Sequence, residues 1–221
     1  MKTSNSAATL QIEVWSDIMC PFCYIGKRKL EKALHEMGLD ESVSLEWKSY
    51  QLNPDLQSDA SKRVNEYLAE VKGWSLEQAR DMNQRVTAMA AEVGLTFKLD
   101  DAKLANSMDA HRLLHLAKSE GKQNAVSQAL FAAYFTEGKD VADVTTLNEI
   151  GRSAGLTSAS LTSLFSGVQY KREVISDQEE AMALGVRGVP FFVFNRKLAV
   201  SGAQEVAVFK KAIDQVLHEE V

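Results

Sequence analysis

The chain has 221 residues, 45% of them apolar, which is enough to bury a real core, and 25 basic against 30 acidic residues leave a formal charge of −5. This mild, mixed acidity gives no basic stripe for nucleic acid. The longest uncharged run, 153–170, is rich in Ser, Thr and Gly, and nothing approaches the ~20 apolar residues of a membrane span.

Residues 1–9 read as a flexible polar tail without the apolar stretch of a secretory signal, so a cytoplasmic location is expected. A buried strand follows over Leu10–Ser16, where Ile12, Val14 and Trp15 are β-branched or aromatic. Pro21 suits the first position of a helix, because the N–H it lacks has no partner there in any case. Leu30, Ala33, Leu34 and Met37 continue that helix at helical spacing, and Gly38 ends it. A second strand is expected over Val43–Leu52, with Val43, Leu45 and Trp47 alternating against Ser44, Glu46 and Lys48.

From Asp59 to Ala183 there is no convincing strand and no proline. Ala, Leu, Glu, Gln, Lys and Met dominate there, with breaks at Gly73, Gly94, Gly121, Gly138 and Gly167, as expected for several helices packed in their own bundle. A last helix of the run, Lys171–Leu184, ends at Gly185. Then come a strand at Phe191–Phe194, a turn at Asn195-Arg196, a strand at Leu198–Ser201 and a closing helix over Gln204–His218.

Two cysteines in all exclude a disulfide scaffold, and without a second pair they do not make a tetrahedral zinc site, so no metal is expected. Yet they lie together, as Cys20-Pro21-Phe22-Cys23, at the strand-to-helix junction. Cys20 at a helix N-terminus faces free backbone N–H groups and the positive end of the helix dipole, both of which favour a thiolate. Cys23 lies one turn along the same face, within reach of Cys20. Of the three prolines, Pro190 precedes an apolar strand, where a residue unable to donate to the ladder marks a special backbone site, with a cis bond as one form of it.

The order of these features resembles the DsbA family, and within it the FrnE-like oxidoreductases, relatives of 2-hydroxychromene-2-carboxylate isomerase and kappa-class glutathione transferase. The residues that carry the resemblance are Asp17 to Tyr24 (DIMCPFCY), Asn53-Pro54, Asn106 to Leu113 (NSMDAHRL) and Gly185 to Phe191 (GVRGVPF). It implies an α/β, thioredoxin-like fold with a large all-helical insertion: residues 10–55 plus 172–221 as the thioredoxin-like domain and 56–171 as the inserted helical domain. It also implies that Val189-Pro190 forms a cis-proline loop against the cysteines. The isomerase and transferase relatives have serine where this chain has Cys20, so the dithiol here favours thiol–disulfide exchange with protein or small-molecule thiols or disulfides.

In that chemistry Cys20 attacks a substrate disulfide and Cys23 resolves the mixed disulfide. The redox-active disulfide then stands in for a bound cofactor, and glutathione is a candidate co-substrate. Substrate contacts are expected from Pro21, Phe22, Val189, Pro190, His111 and Asn53. The alternative is a glutathione-dependent isomerase or transferase, for which Asn53, Val189, Ser201 and Gly202 match the glutathione contacts. His111 and His115, four apart on one helix, also read as packing or hydrogen-bonding residues. Phe22, Tyr24, Trp47, Phe191, Phe192 and Phe194 suit core or cleft wall. Either Glu13 or Asp17 is a candidate buried carboxylate beside Cys23, with a solvated face as the other reading. Neither a monomer nor a homodimer is singled out.

Overall fold

The protein, seen in a computed structural model, is described over residues 10–218; the tail expected at 1–9 lies outside the described residues. The elements in order are β1 (Leu10–Ser16), α1 (Pro21–Glu36), β2 (Val43–Ser49), β3 (Asp59–Arg63), α2 (Val64–Lys72), α3 (Leu76–Glu92), β4 (Lys103–Leu104), α4 (Met108–Ser119) and α5 (Gln123–Phe131). A π-helical turn at Ala132–Thr136 extends α5. Then follow α6 (Val144–Ser153), α7 (Ser158–Ser166), α8 (Lys171–Ala183), β5 (Phe191–Phe194), β6 (Leu198–Ser201) and α9 (Val206–His218).

Four strands form one sheet in the order β2-β1-β5-β6. β1 runs parallel to β2, with Ile12 opposite Leu45, and antiparallel to β5, with Val14 opposite Phe192. This central position explains why Leu10, Ile12 and Val14 on one face and Trp15 on the other are all buried. Ile12 and Val14 join the main core, whereas Trp15 packs against Ala181, Val186 and Val193 on the other side, beneath α8. The Trp15 indole N–H closes that face by donating to the Asp177 carbonyl at 2.9 Å. The β5–β6 hairpin turns on Asn195 and Arg196, both left-handed at φ 46° and 57°, as a two-residue turn that fits the sheet twist demands.

The inserted helices share the main core. Tyr24 of α1 stacks on Phe131 at 5.0 Å, Phe97 stacks on Phe135 at 4.7 Å, and Trp47 of β2 meets Phe131 edge-on at 6.3 Å. Such pairs contribute about 0.5–1.5 kcal/mol beyond the area they bury. Tyr24 and Trp47 thereby fix the insertion onto the sheet, and with it the helix α4 that reaches Asp17.

Two expectations need correction. A strand does occur between Asp59 and Ala183: β3 pairs antiparallel with the two-residue β4 across an irregular register. Its sequence, Asp-Ala-Ser-Lys-Arg, lacks apolar alternation because the strand is largely exposed. β2 also stops at Ser49 rather than Leu52. The backbone N–H groups of Gln51 and Leu52 leave the ladder for the side chains of Gln178, at 3.0 Å, and Asp17, at 2.8 Å.

Candidate active site

Pro21 opens α1, and Cys20 is its N-cap, in extended conformation at φ −90° and ψ 112°. The turn that delivers Cys20 closes on itself: the Cys20 N–H donates to the Asp17 carbonyl, and the Cys23 N–H to the Cys20 carbonyl, both at 3.0 Å. The Val189–Pro190 bond is cis, and the Cys20 thiol lies 3.6 Å from the Val189 carbonyl oxygen. Gly26 permits this approach of α1 to the proline loop. A Cβ there would come within 3.1 Å of the Pro190 and Phe192 side chains. The Gly202 N–H holds the Pro190 carbonyl at 2.8 Å from β6.

The two cysteines differ in environment. Cys23 is fully buried, and burial together with the neighbouring Cys20 sulfur pushes its thiol well above the usual cysteine range. The Ser16 hydroxyl and the Asp17 backbone face that sulfur and work the other way. Cys20 is buried too, at 4% exposed, with its sulfur against the Val189 carbonyl, and the half-buried Pro21 and the exposed Phe22 follow it in the chain.

Of the two candidate carboxylates, Asp17 is the buried one; Glu13 turns outward to pair with Arg196. Asp17 accepts the Leu52 N–H at 2.8 Å and the Met19 N–H at 3.3 Å, and His111 Nε2 stands 3.5 Å from its Oδ1. Burial raises its pKa, but the His111 ring, the Leu52 N–H and the Ser107 hydroxyl outweigh burial and hold it below the ordinary carboxylate range. Tyr134 of the π-helical turn also feels this charge. Burial first, then Asp17 and Asp140, push its phenol up, and its hydroxyl donates to the Lys103 carbonyl at 3.0 Å.

The structure thus brings together Cys20, Cys23, Pro21, Phe22, Val189 and Pro190. Asn53 sits on the exposed loop after Leu52, its amide donating to the Tyr67 hydroxyl at 2.9 Å. His111 is only 1% exposed and lies against Asp17, so it does not offer a surface contact. His115 faces elsewhere, towards Ser49 and Asp177. Tyr24, Trp47, Phe192 and Phe194 are core. Ser16, Gln51, Ser107 and Tyr134 around Asp17 escaped sequence reasoning, since they come from four separate segments and only Ser107 lies in a motif.

A family model described as a DSBA-like thioredoxin domain matches residues 11–214. The crystal structure of a probable DsbA oxidoreductase from Streptomyces coelicolor is 35% identical, with 96% of this chain and 92% of that one covered and a TM-score of 0.89. 2-Hydroxychromene-2-carboxylate isomerase superposes with a TM-score of 0.67 at 13% identity, covering 95% of this chain and 97% of that one. The cytosolic disulfide reductase DsbM from Pseudomonas aeruginosa gives 0.64 at 15% identity, covering 95% and 96%. At such identities the last two are likenesses of fold. The architecture is the expected one, an α/β thioredoxin-like fold with a large helical insertion.

Proposed function

We propose, from the premise that this chain belongs to the DsbA-like thioredoxin-domain family, that it exchanges its Cys20–Cys23 dithiol with disulfides of proteins or small molecules. Cys20 attacks one sulfur of the substrate disulfide. That S–S bond breaks, the other substrate sulfur leaves as thiolate, and Cys20 is left in a mixed disulfide. Cys23 then attacks Cys20, freeing the second substrate thiol and closing the Cys20–Cys23 bond. The reverse sequence oxidises a substrate dithiol.

The observation that carries this reading is the 3.6 Å approach of the Cys20 sulfur to the Val189 carbonyl, with Cys23 sealed behind it. A substrate sulfur reaching Cys20 runs past Val189 and Pro190, with the Val189 backbone presented to an extended peptide. Pro21 and Phe22 wall the other side, and Asn53 stands at the rim. In a reducing cytoplasm the dithiol rests reduced, so reduction or isomerisation of substrate disulfides is the forward direction. Glutathione serves as co-substrate: one thiol opens Cys20–Cys23, a second releases the first as glutathione disulfide.

The test is insulin reduction with glutathione as the electron source. Cys20→Ser loses at least about 10³-fold in rate, and Cys23→Ser accumulates a mixed disulfide at Cys20 visible by mass spectrometry. Full turnover by Cys20→Ser, together with saturable stabilisation of that variant by glutathione, would transfer the protein to the glutathione-dependent isomerase reading.

A further inference from the structure

Helix α4 belongs to the insertion, yet it places His111 against Asp17, whose backbone faces the Cys23 sulfur. Both ring nitrogens of His111 are buried without a hydrogen-bond partner, and Nε2 stands 3.5 Å from Asp17 Oδ1, outside good hydrogen-bond geometry. Two more orphaned polar atoms lie close in the chain to the same carboxylate. Ser16 Oγ precedes Asp17 directly, and Gln51 Oε1 is next to Leu52, whose N–H binds Asp17 at 2.8 Å. Buried polar groups are nearly always satisfied, so several orphans around one carboxylate mark a place where chemistry rather than stability set the residues.

The exchange reading leaves one proton without a destination. Cys23 is fully buried and burial favours its protonated form, yet it must attack as a thiolate. We propose that His111, oriented by Asp17, receives the proton that Cys23 loses when it resolves the mixed disulfide. This rests on the exchange reading above. In the step, Cys23 Sγ bonds to Cys20 Sγ, the Cys20–substrate bond breaks, and the substrate leaves as thiolate. The Cys23 proton moves to the imidazole and passes later to solvent. Cys23 is oxidised and the substrate sulfur is reduced, so electrons balance.

Asp17 is the poorer acceptor, because its surroundings hold it ionised; its charge instead stabilises the imidazolium. The groups facing this pair are Cys20 and Cys23 from α1 and Tyr134 from the π-helical turn, with Asp140 beyond Tyr134. In the mixed disulfide Cys20 carries no charge, and Tyr134 stays protonated. His111 touches no substrate in this scheme, so it is a positioning residue for a proton.

Mixing the dithiol protein with one equivalent of the aromatic disulfide dithiobis(nitrobenzoate) in stopped flow separates the two steps. A first release of nitrothiophenolate reports attack by Cys20, and a second reports resolution by Cys23. In the wild type the second phase rises with pH and then levels off. In His111→Gln the ratio of second to first rate falls about 10²-fold at neutral pH, the low end of a general base's contribution, and the plateau gives way to a rise with hydroxide. The isosteric Asp17→Asn lowers the ratio in the same sense. Equal ratios and profiles in wild type and His111→Gln overturn the inference, whereas a wild type without a first phase overturns the exchange reading instead. If neither variant folds, the His111 ring titration in Cys20→Ser protein decides by NMR. It moves where Cys23 ionises, and a ring blind to Cys23 overturns the proposal.

Discussion

Two histidines one turn apart on α4 meet two buried aspartates, and the two meetings are built differently. His115 Nε2 lies 3.1 Å from both Ser49 Oγ and Asp177 Oδ2, and Tyr170 stacks over its ring at 6.2 Å. Asp177 also accepts the Ser49 N–H at 2.8 Å and Lys48 Nζ at 3.2 Å. That cluster ties α4, α8 and β2 together, with its hydrogen bonds made. His111, one turn nearer the cysteines, has a carboxylate at 3.5 Å and no complete hydrogen bond. One region uses its polar residues to hold the insertion on the sheet; the other leaves them without complete hydrogen bonds beside Asp17. The same residue types at the same spacing therefore serve different ends, and satisfaction of their hydrogen bonds tells them apart.

The largest effect that breaks this comparison is loss of Asp177. Asp177→Ala leaves the Ser49 N–H, Lys48 and His115 short of an acceptor in a buried site, and costs about 3 kcal/mol in urea unfolding. A cost under about 1 kcal/mol removes the cluster from its structural role. The contrast is sharpened by truncating each histidine to leucine. His115→Leu strips partners from Ser49 and Asp177 and costs about 2 kcal/mol, whereas His111→Leu breaks no complete hydrogen bond and costs about 1 kcal/mol or less. Equal costs would erase the distinction.

Acid titration probes both regions together. Asp17 and Asp177 lie below the ordinary carboxylate value of 3.8 in the fold: burial raises each, but His111, the Leu52 N–H and Ser107 for Asp17, and His115, the Ser49 N–H and Lys48 for Asp177, outweigh it. A depressed folded value means stability that is in place above about pH 3.8, the unfolded value, and is lost as pH falls through the lower folded values. Unfolding free energy therefore drops as pH falls below about 3.8, and drops less in Asp177→Asn. Identical slopes in the two proteins contradict the linkage. The smallest effect belongs to Arg196, half exposed, which bonds Glu180 at 2.6 Å and pairs with Glu13 at the rim. Arg196→Ala costs about 0.5 kcal/mol or less, shrinking further in salt.

Much of the frame was legible in the chain. Pro21 at the helix start and Gly38 at its end, at φ 67°, bound α1 as local stereochemistry requires. The breaks at Gly73, Gly94, Gly121 and Gly138 all fall at left-handed residues, and Ile12, Val14 and Trp15 announced the buried strand β1. The misses share a cause. β3 is polar and is held as a strand by two residues, Lys103 and Leu104, some forty positions away. β2 lost its expected last residues because Asp17 and Gln178 captured their N–H groups.

What the sequence by itself determined was the local chemistry: two cysteines one helical turn apart, a proline on either side of the site, and the strands and helices that present them. Those follow from backbone preferences and side-chain periodicity within a few residues. Only the tertiary structure decided which carboxylate is buried, which histidine faces it, and that the Cys20 sulfur meets the Val189 carbonyl. Glu13 and Asp17 look alike in the chain, as do His111 and His115. Their differences come from partners 62 to 183 positions away, and burial and charge depend on who those partners are.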